Sequence, residues 1–474
     1  MARATVRFTL DDVSMTPFGP RRGTLTLTRP SGTVLTFATP TLLTPTSRGC
    51  VPHLARCHIR ASPAIGLVHV PFESFLEQTP PVPTVLGGAH ALHRFLGFDP
   101  DKHILALSAR DPADTRTMPP NGNSHLNAYC LRGVRKLAAQ EWTSHVTACS
   151  PDLVVALSDT PHTSPPFSQK RLTKSIERSL AWLAALLGSP AAILVPLAGC
   201  TARARSAFST SLVSPSVGDL PTYDAGIAGY TLDVSLHPPS LLQTSLLPLP
   251  PTKPRFVHGT SSPHHMLRLI RDVGVDVLDA RWAVDAASYG VALDFVLPVP
   301  TEAQPSTQQN IGHNLYDTRY RLDFRPLSSP SCPCIACSPT PPASRINHGP
   351  ASAPLPPNDP PNAPYTRAYI HHLLHTHEMS AHALLVSHNL AMLDALLAGV
   401  RDVLASPASS SFAAHVSRFE AAYRDTASEG EEDVMSQARK MWAAVEKARG
   451  KGRLRREREA EAGGEDQDSE YRRM

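Results

Sequence analysis

The sequence lacks the features that would place the protein in a membrane or outside the cell. It contains no uninterrupted run of 18 apolar residues, so we expect no transmembrane segment. Residues 1–12 carry no apolar core of the kind found in secretory signal peptides, which predicts that the chain is not exported. These two absences favour a cytoplasmic protein.

A strong excess of charge and a disulfide framework are missing as well. The 45 basic and 41 acidic residues leave a formal net charge of +4, so only a local basic patch would attract nucleic acid. Without an export signal, the cysteines are expected to be reduced thiols. Five of the eight are scattered along the chain, at Cys50, Cys57, Cys130, Cys149 and Cys200.

Short apolar runs predict an α/β fold. Continuous apolar runs are typical of parallel strands that are buried on both faces. They occur at 103–108, 152–158, 191–197 and 255–259. Helical patterns at 174–188 and 262–274 alternate with them, which favours a (β/α)8 TIM-type barrel with a zinc-binding subdomain near the C-terminus. A doubly wound sheet is the second choice, because the sequence has no glycine-rich dinucleotide or P-loop fingerprint.

Changes in composition divide the chain into four predicted regions. We assign 1–330 to the barrel, 331–406 to the zinc-binding subdomain with C-terminal helices, 407–449 to a helical extension and 450–474 to a disordered charged tail. The tail is basic and then acidic, and an RNA-contacting arm is the alternative interpretation. Within the second region, ten of the 27 residues of 338–364 are proline, which predicts an unstructured loop insertion.

An apolar stripe marks the long helical region predicted between 365 and 406. A stripe of this kind either packs in the protein core or faces a partner subunit. Its members are Leu385, Met392, Leu393, Leu396 and Leu397. The sequence leaves both interpretations open.

Three clustered cysteines predict a zinc site. Cys332, Cys334 and Cys337 place three thiols within six residues, and zinc favours tetrahedral sulfur and nitrogen ligands. A closed structural site needs a fourth ligand, for which several histidines are candidates. They are His348, His371, His372, His375, His377, His382 and His388. Composition does not choose among them, although His388 lies on the predicted helix and His348 in the proline-rich loop.

The segment that holds these histidines resembles the tRNA-guanine transglycosylases. Residues 366–374 read TRAYIHHLL, and 387–390 read SHNL. In that family a CxCxxC cluster is followed by RAYxHHL and then by HN, whose histidine is the fourth zinc ligand. The resemblance implies one zinc ion per chain, held by Cys332, Cys334, Cys337 and His388. The gap of 50 residues between Cys337 and His388 is longer than usual in the family, and the proline-rich loop accounts for the excess.

The likeness weakens where the family carries its chemistry. Residues 274–279 read GVDVLD and resemble the segment whose last aspartate is the nucleophile, so Asp279 is the candidate, and 152–159 resembles the strand ending in a base-recognising aspartate, here Asp159. The family's glycine-rich SDSGGFQ loop has no counterpart near Asp111. Ala109, Leu197 and Ala198 stand where residues that hold the target base are expected. These losses imply that Asp279 is vestigial.

Residues 46–49, 52–54 and 72–76 resemble the N-terminal pattern of the family's eukaryotic accessory subunits. The resemblance implies a non-catalytic subunit of a heterodimeric queuine tRNA-ribosyltransferase, which exchanges guanine for queuine at the anticodon wobble position of tRNA. Its partners would be the catalytic subunit and tRNA. It also implies a cytoplasmic location with peripheral attachment to the mitochondrial outer membrane. The alternative is a diverged catalytic transglycosylase that uses Asp279 as its nucleophile.

Overall fold

A computed structural model gives the structure of most of the chain. It describes residues 3–11, 17–114, 116–160, 166–197, 199–215, 220–234, 238–300, 308–329, 332–338, 364–406, 411–425 and 433–449. The predicted proline-rich loop, apart from its two end residues, the charged tail, His348 and Ala198 lie outside the described residues.

The strands fall into one barrel and three small sheets. In chain order they are β1 (Thr5–Leu10), β2 (Gly23–Thr28), β3 (Val34–Thr39), β4 (Thr41–Pro45), β5 (Leu67–Pro71), β6 (Ile104–Ser108), β7 (His125–Cys130), β8 (Gly133–Ala138), β9 (Leu153–Val155), β10 (Ala192–Pro196), β11 (Gly229–Asp233), β12 (Arg255–His258), β13 (Val277–Asp279), β14 (Val291–Leu293) and β15 (Gly312–Asn314).

The helices surround the barrel and form the C-terminal part of the protein. In chain order they are α1 (Arg56–Ala61), α2 (Ala91–Leu96), α3 (Ala139–Cys149), α4 (Gln169–Leu186), α5 (Ala202–Val213), α6 (Pro239–Leu246), α7 (Pro263–Val273), α8 (Arg281–Ser288), α9 (Arg367–His375), α10 (Met379–Ala405), α11 (Phe412–Ala422) and α12 (Val434–Arg449).

Eight parallel strands close into a barrel, which confirms the predicted fold class. The order is β4, β5, β6, β9, β10, β11, β12 and β13, and β13 pairs back with β4. Every residue of β5, β6, β9, β12 and β13 is buried, because a barrel strand faces side chains of the interior on one side and helices on the other. The doubly wound alternative is wrong, since an open sheet would leave two edge strands.

The N-terminal end of the barrel is covered by the antiparallel sheet of β1, β2 and β3. Strand β2 alternates buried and half-buried residues, and its inward side chains Leu25 and Leu27 belong to one buried cluster with Leu43, Leu67 and Phe256. The sheet therefore seals the end at which the barrel strands begin. Only the opposite end, at which the strands finish, remains for a functional site.

Both predicted helices are confirmed with small shifts at their ends. The pattern at 174–188 belongs to α4, and the pattern at 262–274 belongs to α7. Gly274 ends α7 in the left-handed region, with φ of 71°, and its N–H donates to the carbonyl of Ile270. A residue with a Cβ atom would be strained at this position.

The long helical region near the C-terminus is two helices, α9 and α10, separated at His377, whose φ is 59°. The apolar stripe of α10 packs inside the protein against α8 and β14, and its members are at most 3% exposed. The interpretation of this stripe as a partner-facing surface is therefore wrong, because the chain itself covers it. Helices α11 and α12 follow, with α11 against α7 and α12 against β15.

Helix α10 has the length and apolar composition needed to cross a membrane. It is the one such helix in the described residues, with a mean hydropathy of 1.6 over its most apolar window. Within the protein, 72% of that window is buried, as in the core helix of a folded domain. The expectation that the chain has no transmembrane segment stays a prediction.

Candidate metal centre and barrel mouth

Three thiols and one imidazole converge between the loop after β15 and helix α10. The ligand atoms of Cys332, Cys334, Cys337 and His388 all lie within 4.8 Å of one another. The Nδ1 atom of His388 is 3.3 Å from the Cys337 sulfur and 3.7 Å from the Cys334 sulfur. Four sulfur and nitrogen donors this close together are a set that could hold a single metal ion in tetrahedral geometry.

A tight turn brings the three thiols together. The N–H of Cys337 donates to the Cys334 sulfur at 3.4 Å, and the N–H of Ser338 donates to the Cys334 carbonyl at 2.8 Å. The Ser338 hydroxyl donates to the Cys332 carbonyl at 3.0 Å. These bonds close the loop on itself, so the thiols are arranged by local backbone geometry before any distant contact is made.

The imidazole of His388 is oriented from its other side. Its Nε2 donates to the carbonyl of Leu293, at the end of β14, over 2.8 Å. This bond keeps a proton on Nε2 and turns Nδ1 toward the thiols, which is the usual orientation of a metal-binding histidine. The position of His388 along α10 therefore directs its ring toward the thiols, and the hydrogen bond to Leu293 in β14 keeps a proton on Nε2.

Asn389 locks α10 in this position. Its side chain is fully buried, accepts from the N–H of Leu293 at 3.0 Å, and donates to the carbonyls of Val291 and Ala283 at 2.9 and 3.1 Å. Sequence reasoning identified the His-Asn pair by resemblance and did not find this role. The sequence did contain one indication of this role. Asn389 lies in the middle of an apolar helix, where a buried amide needs hydrogen-bond partners.

The interactions within the cluster favour a thiolate at Cys334 and a positively charged imidazole at His388. Hydrogen bonds from Cys332 and Cys337 lower the pKa of the Cys334 thiol. Burial opposes the charged form of His388, but hydrogen bonds to Cys332 and Cys334 outweigh it and raise its pKa to about 10. Because thiolate is the form that binds metals, a metal ion would take over the compensating positive charge.

Three of the other histidine candidates are bonded elsewhere. His371 contacts the carbonyl of Leu315, His375 that of Tyr316, and His382 that of Ala287, at 2.9 to 3.1 Å. Among the described residues, only His388 joins the three thiols.

The proline-rich loop leaves and re-enters the protein beside the cluster. The N–H of Tyr365 donates to the carbonyl of Ala336 at 2.9 Å, so the two ends of the loop are joined by a backbone hydrogen bond. Because its two ends are adjacent, the loop can be inserted here without moving the metal ligands.

We therefore expect that deleting Pro341 to Pro361 leaves metal content and melting temperature nearly unchanged. Shortening a loop whose ends are already adjacent changes its closure free energy by only about 1 kcal/mol. Metal analysis and thermal unfolding of the deletion variant measure this directly. A large loss of either property would mean that the loop is packed against the rest of the protein.

The open end of the barrel holds a cavity of about 710 Å³. Apolar residues line much of it, including Ala109 and Leu197, at positions where the family resemblance leads one to expect base-holding groups. The charged lining residues are Arg110, Asp111, Arg205 and Asp233. Arg205 is fully buried and donates to the carbonyl of Gly199 at 2.8 Å, and burial lowers its pKa to about 10. No motif or spacing in the sequence had pointed to this residue.

Asp279 lies at the end of β13 with both carboxylate oxygens occupied. It is 4% exposed, accepts a hydrogen bond from the Thr260 hydroxyl at 2.8 Å, and accepts another from the N–H of Gly259. Burial raises its pKa to about 6, although these two hydrogen bonds oppose the shift. A carboxylate held in this way ties the end of β13 to the segment that follows β12.

Asp111 is also paired. Its carboxylate forms an ion pair with Arg281, the second residue after Asp279, at the edge of the cavity. Because of this ion pair, the acidic side chain that follows β6 does not face the cavity as a free base.

Asp159 holds helix α4 against the barrel. Its buried carboxylate accepts from Arg171 at 2.7 and 2.9 Å, from Arg178 at 3.0 Å and from Asn121 at 2.8 Å. Both arginines belong to α4, so Asp159 fastens that helix to the end of the barrel. Its neighbours Ser158 and Thr160 line the cavity, whereas Asp159 does not.

Comparison with known proteins identifies the family. The model of the queuine tRNA-ribosyltransferase family matches residues 18–424, which include the barrel strands from β4 onward and the metal cluster. The chain belongs to this family. The resemblance inferred from RAYIHHL and the cysteine cluster is therefore confirmed.

Curated relatives within the queuine tRNA-ribosyltransferase family carry the name queuine tRNA-ribosyltransferase accessory subunit 2. One from Schizosaccharomyces pombe is 28% identical over 401 residues, covering 81% of this chain and 78% of the relative. One from Drosophila pseudoobscura pseudoobscura is 25% identical over 388 residues, covering 77% and 82%. One from Drosophila melanogaster is 25% identical over 392 residues, covering 78% and 83%.

Proposed function

We propose that the chain is the non-catalytic accessory subunit of a heterodimeric queuine tRNA-ribosyltransferase. In this proposal it joins a catalytic paralogue, and the pair exchanges guanine for queuine at the anticodon wobble position of tRNA. The proposal includes a cytoplasmic location with peripheral attachment to the mitochondrial outer membrane. The observation that carries it is a family barrel whose acidic residues Asp279, Asp111 and Asp159 at the mouth are each engaged by the protein itself.

Base exchange needs carboxylates that are free to react, so the bonding of Asp279 and Asp111 within the protein bears on the function. A carboxylate must attack the ribose C1′, an acid or base must assist the leaving guanine, and polar groups must hold a flipped-out base. Asp279 is bonded through both oxygens, and Asp111 is paired with Arg281. Leu197 offers no hydrogen bond to a base. The names of the relatives, which are accessory subunits, agree with this division of roles.

We propose further that each chain binds one zinc ion through Cys332, Cys334, Cys337 and His388. Three thiols and one imidazole fit zinc by ligand type, and four protein ligands close the coordination sphere, as in structural sites. When bound, the ion would hold the cysteine loop against α10 and would take no part in base exchange. This assignment leaves the barrel mouth free of metal chemistry.

The surface that supports association with a partner lies beside the metal loop. Four large apolar side chains are exposed there: Leu322 at 75%, Phe324 at 73%, Tyr369 at 44% and Tyr365 at 36%. Tyr365 and Tyr369 stack with ring centres 5.3 Å apart, and backbone hydrogen bonds from Arg367 and Ala368 join this segment to residues 323 and 325. We call these four residues the aromatic patch. Exposed apolar clusters with aromatic residues are typical of protein interfaces.

The test of the accessory role is guanine exchange by the chain alone and by its complex with a catalytic paralogue. We expect no exchange by the chain alone and exchange by the complex. In the complex, Asp279→Asn in this chain should leave the rate close to that of the unmutated complex, because the carboxylate is not used in chemistry. Replacing the nucleophile of the paralogue is the positive control and should abolish exchange.

The opposite result would favour the alternative, a diverged catalytic transglycosylase. A loss of roughly a hundredfold or more in the Asp279→Asn complex, the size expected when a catalytic group is removed, would assign the nucleophile to this chain. Metal content and co-elution of the two subunits must be unchanged for either interpretation of the rate.

A further inference from the structure

The hairpin of β7 and β8 lies beside the barrel mouth. It follows β6 in the chain, and its tip residues Tyr129, Cys130 and Leu131 line a cleft of about 860 Å³ together with Asp111 and Arg281. The cleft adjoins the mouth cavity, because Asp111 lines both. A ligand too long for the mouth cavity would therefore reach the cleft beside this hairpin.

The tip is fastened to the barrel through its backbone and one thiol. The Cys130 thiol donates to the carbonyl of Glu73 at 3.0 Å, and the N–H of Arg132 donates to the Glu77 carboxylate at 3.1 Å. These contacts fix the position of the tip, and the side chains of Leu131 and Arg132 remain exposed. Leu131 is 72% exposed.

The hairpin carries three exposed cations, distributed over both of its faces, that form no ion pair with the described residues. Arg132, Arg135 and Lys136 are exposed, and within the described part of the chain none of them forms an ion pair. We call these three residues the basic hairpin. Arg48 is exposed on the facing wall of the cleft, likewise without an ion pair to any described residue.

Two other cations of the cleft are already paired with carboxylates. Arg116 pairs with Asp114, and Arg281 pairs with Asp111. Glu73 is buried, and burial together with the nearby Asp111 raises its pKa to about 7. Glu77 also lines the cleft, where its carboxylate accepts the N–H of Arg132, and the cations available to a ligand lie on the rim.

We propose that the basic hairpin binds the phosphodiester backbone of RNA that enters the barrel mouth. The inference rests on the proposed function and names the surface by which this chain would hold tRNA. Cations on a fixed protruding hairpin match a polyanion, and such contacts position RNA without reading its sequence. They would survive the loss of a base-binding pocket. Leu131 gives one apolar contact to a ribose or base beside the phosphates.

A protein partner fits this hairpin poorly. Stable protein interfaces bury about 800 Å² on each side around an apolar centre. The hairpin tip offers one exposed leucine among three cations, whereas the aromatic patch offers four exposed apolar side chains on another part of the molecule. The observations therefore favour RNA over protein as the ligand of this surface.

The test compares two triple variants of the full chain in complex with the catalytic paralogue. The first removes the basic hairpin, as R132A/R135A/K136A. The second removes three exposed cations from the sheet and the segments before β6, toward the sealed end of the barrel, as R7A/R94A/K102A. Both lose the same charge, so the general electrostatic effect on RNA is matched. Affinity for unmodified tRNA is measured over a series of salt concentrations.

We expect the hairpin variant alone to bind tRNA about tenfold or more weakly. The slope of log K against log salt should fall by roughly 0.7 for each phosphate that the variant no longer neutralises. Its KM for tRNA should rise while kcat at saturating tRNA stays unchanged. The double variant R132K/R135K should retain affinity, because lysine also pairs with phosphate. Unchanged melting temperature is expected for all variants, since the replaced side chains are exposed.

Two results would overturn the inference, and they can be told apart. If the unmutated complex binds tRNA and exchanges guanine while the hairpin and control variants bind equally well, the hairpin is not the RNA contact and the accessory role stands. If the unmutated complex binds no tRNA, both the inference and the proposed function fail.

Discussion

Cys334→Ser is expected to remove the metal and to unfold the region around it. Cys334 is 7% exposed and lies nearest the centre of the turn, where its sulfur also accepts the N–H of Cys337. In small structural zinc sites the binding free energy, about 10–16 kcal/mol, is also folding free energy. Serine offers no thiolate, so the loop and α10 would lose the ion that joins them.

The measurements are metal content per chain and thermal unfolding, with Cys57→Ser as the matched control. Cys57 is exposed on α1 and has no metal-ligating neighbour among the described residues, so its replacement should change neither property. His388→Ala should behave as Cys334→Ser does, because it removes the fourth ligand and the bond to Leu293 together. Near-normal zinc content in either ligand variant would refute the assignment.

Replacing the aromatic patch is expected to dissociate the complex without unfolding the chain. In Phe324→Asp combined with Tyr369→Ala, a charge replaces one exposed ring and a second ring is removed. Aromatic residues at interface centres often contribute about 2 kcal/mol or more each. We therefore expect the Kd for the catalytic paralogue to rise by roughly a hundredfold or more. Phe324 is 73% exposed and Tyr369 is 44% exposed, so the melting temperature of the isolated chain should change little.

Leu247→Asp is the control for this prediction. Leu247 is 64% exposed after α6, so its replacement adds the same charge to an exposed apolar position outside the patch. Association is measured by titration of labelled paralogue and by co-elution. Unchanged affinity in the patch variant, or equal weakening by Leu247→Asp, would show that the partner binds elsewhere. Loss of guanine exchange in the patch variant alone would follow from dissociation.

The metal-cluster region and the barrel mouth differ in what their polar side chains do. The cysteine loop, α9 and α10 form a compact unit in which His388 and Asn389 tie a buried helix to β14. At the mouth, Asp279, Asp111 and Asp159 are each bonded within the protein. A fold can keep its shape in this way after its chemistry is lost, since shape depends on packing and chemistry on a few unpaired groups.

Local patterns were enough to predict the barrel and the three thiols. Buried parallel strands must be apolar along their whole length, so the runs at 191–197 and 255–259 indicated strands without reference to their neighbours. The spacing of Cys332, Cys334 and Cys337 indicated a ligand set because a single turn, closed by Ser338, brings these thiols together. The contacts that arrange the thiols are close in sequence, whereas closure of the barrel depends on the pairing of β13 with the distant β4.

Composition left the fourth ligand open and the family resemblance pointed to His388, but only the tertiary structure shows how its ring is aimed at the thiols and which surface is free. His388 was one of seven candidates, and the carbonyl that orients it belongs to Leu293, 95 residues away in the chain. The stripe from Leu385 to Leu397 has the composition of an interface, but α8 and β14 cover it, and the aromatic patch is exposed in its place. The role of Asp159 was also decided by the tertiary structure, because its partners Arg171 and Arg178 fix it to α4. A sequence pattern specifies the chemical type of a side chain, but its partner is chosen by the packing of segments that are distant along the chain.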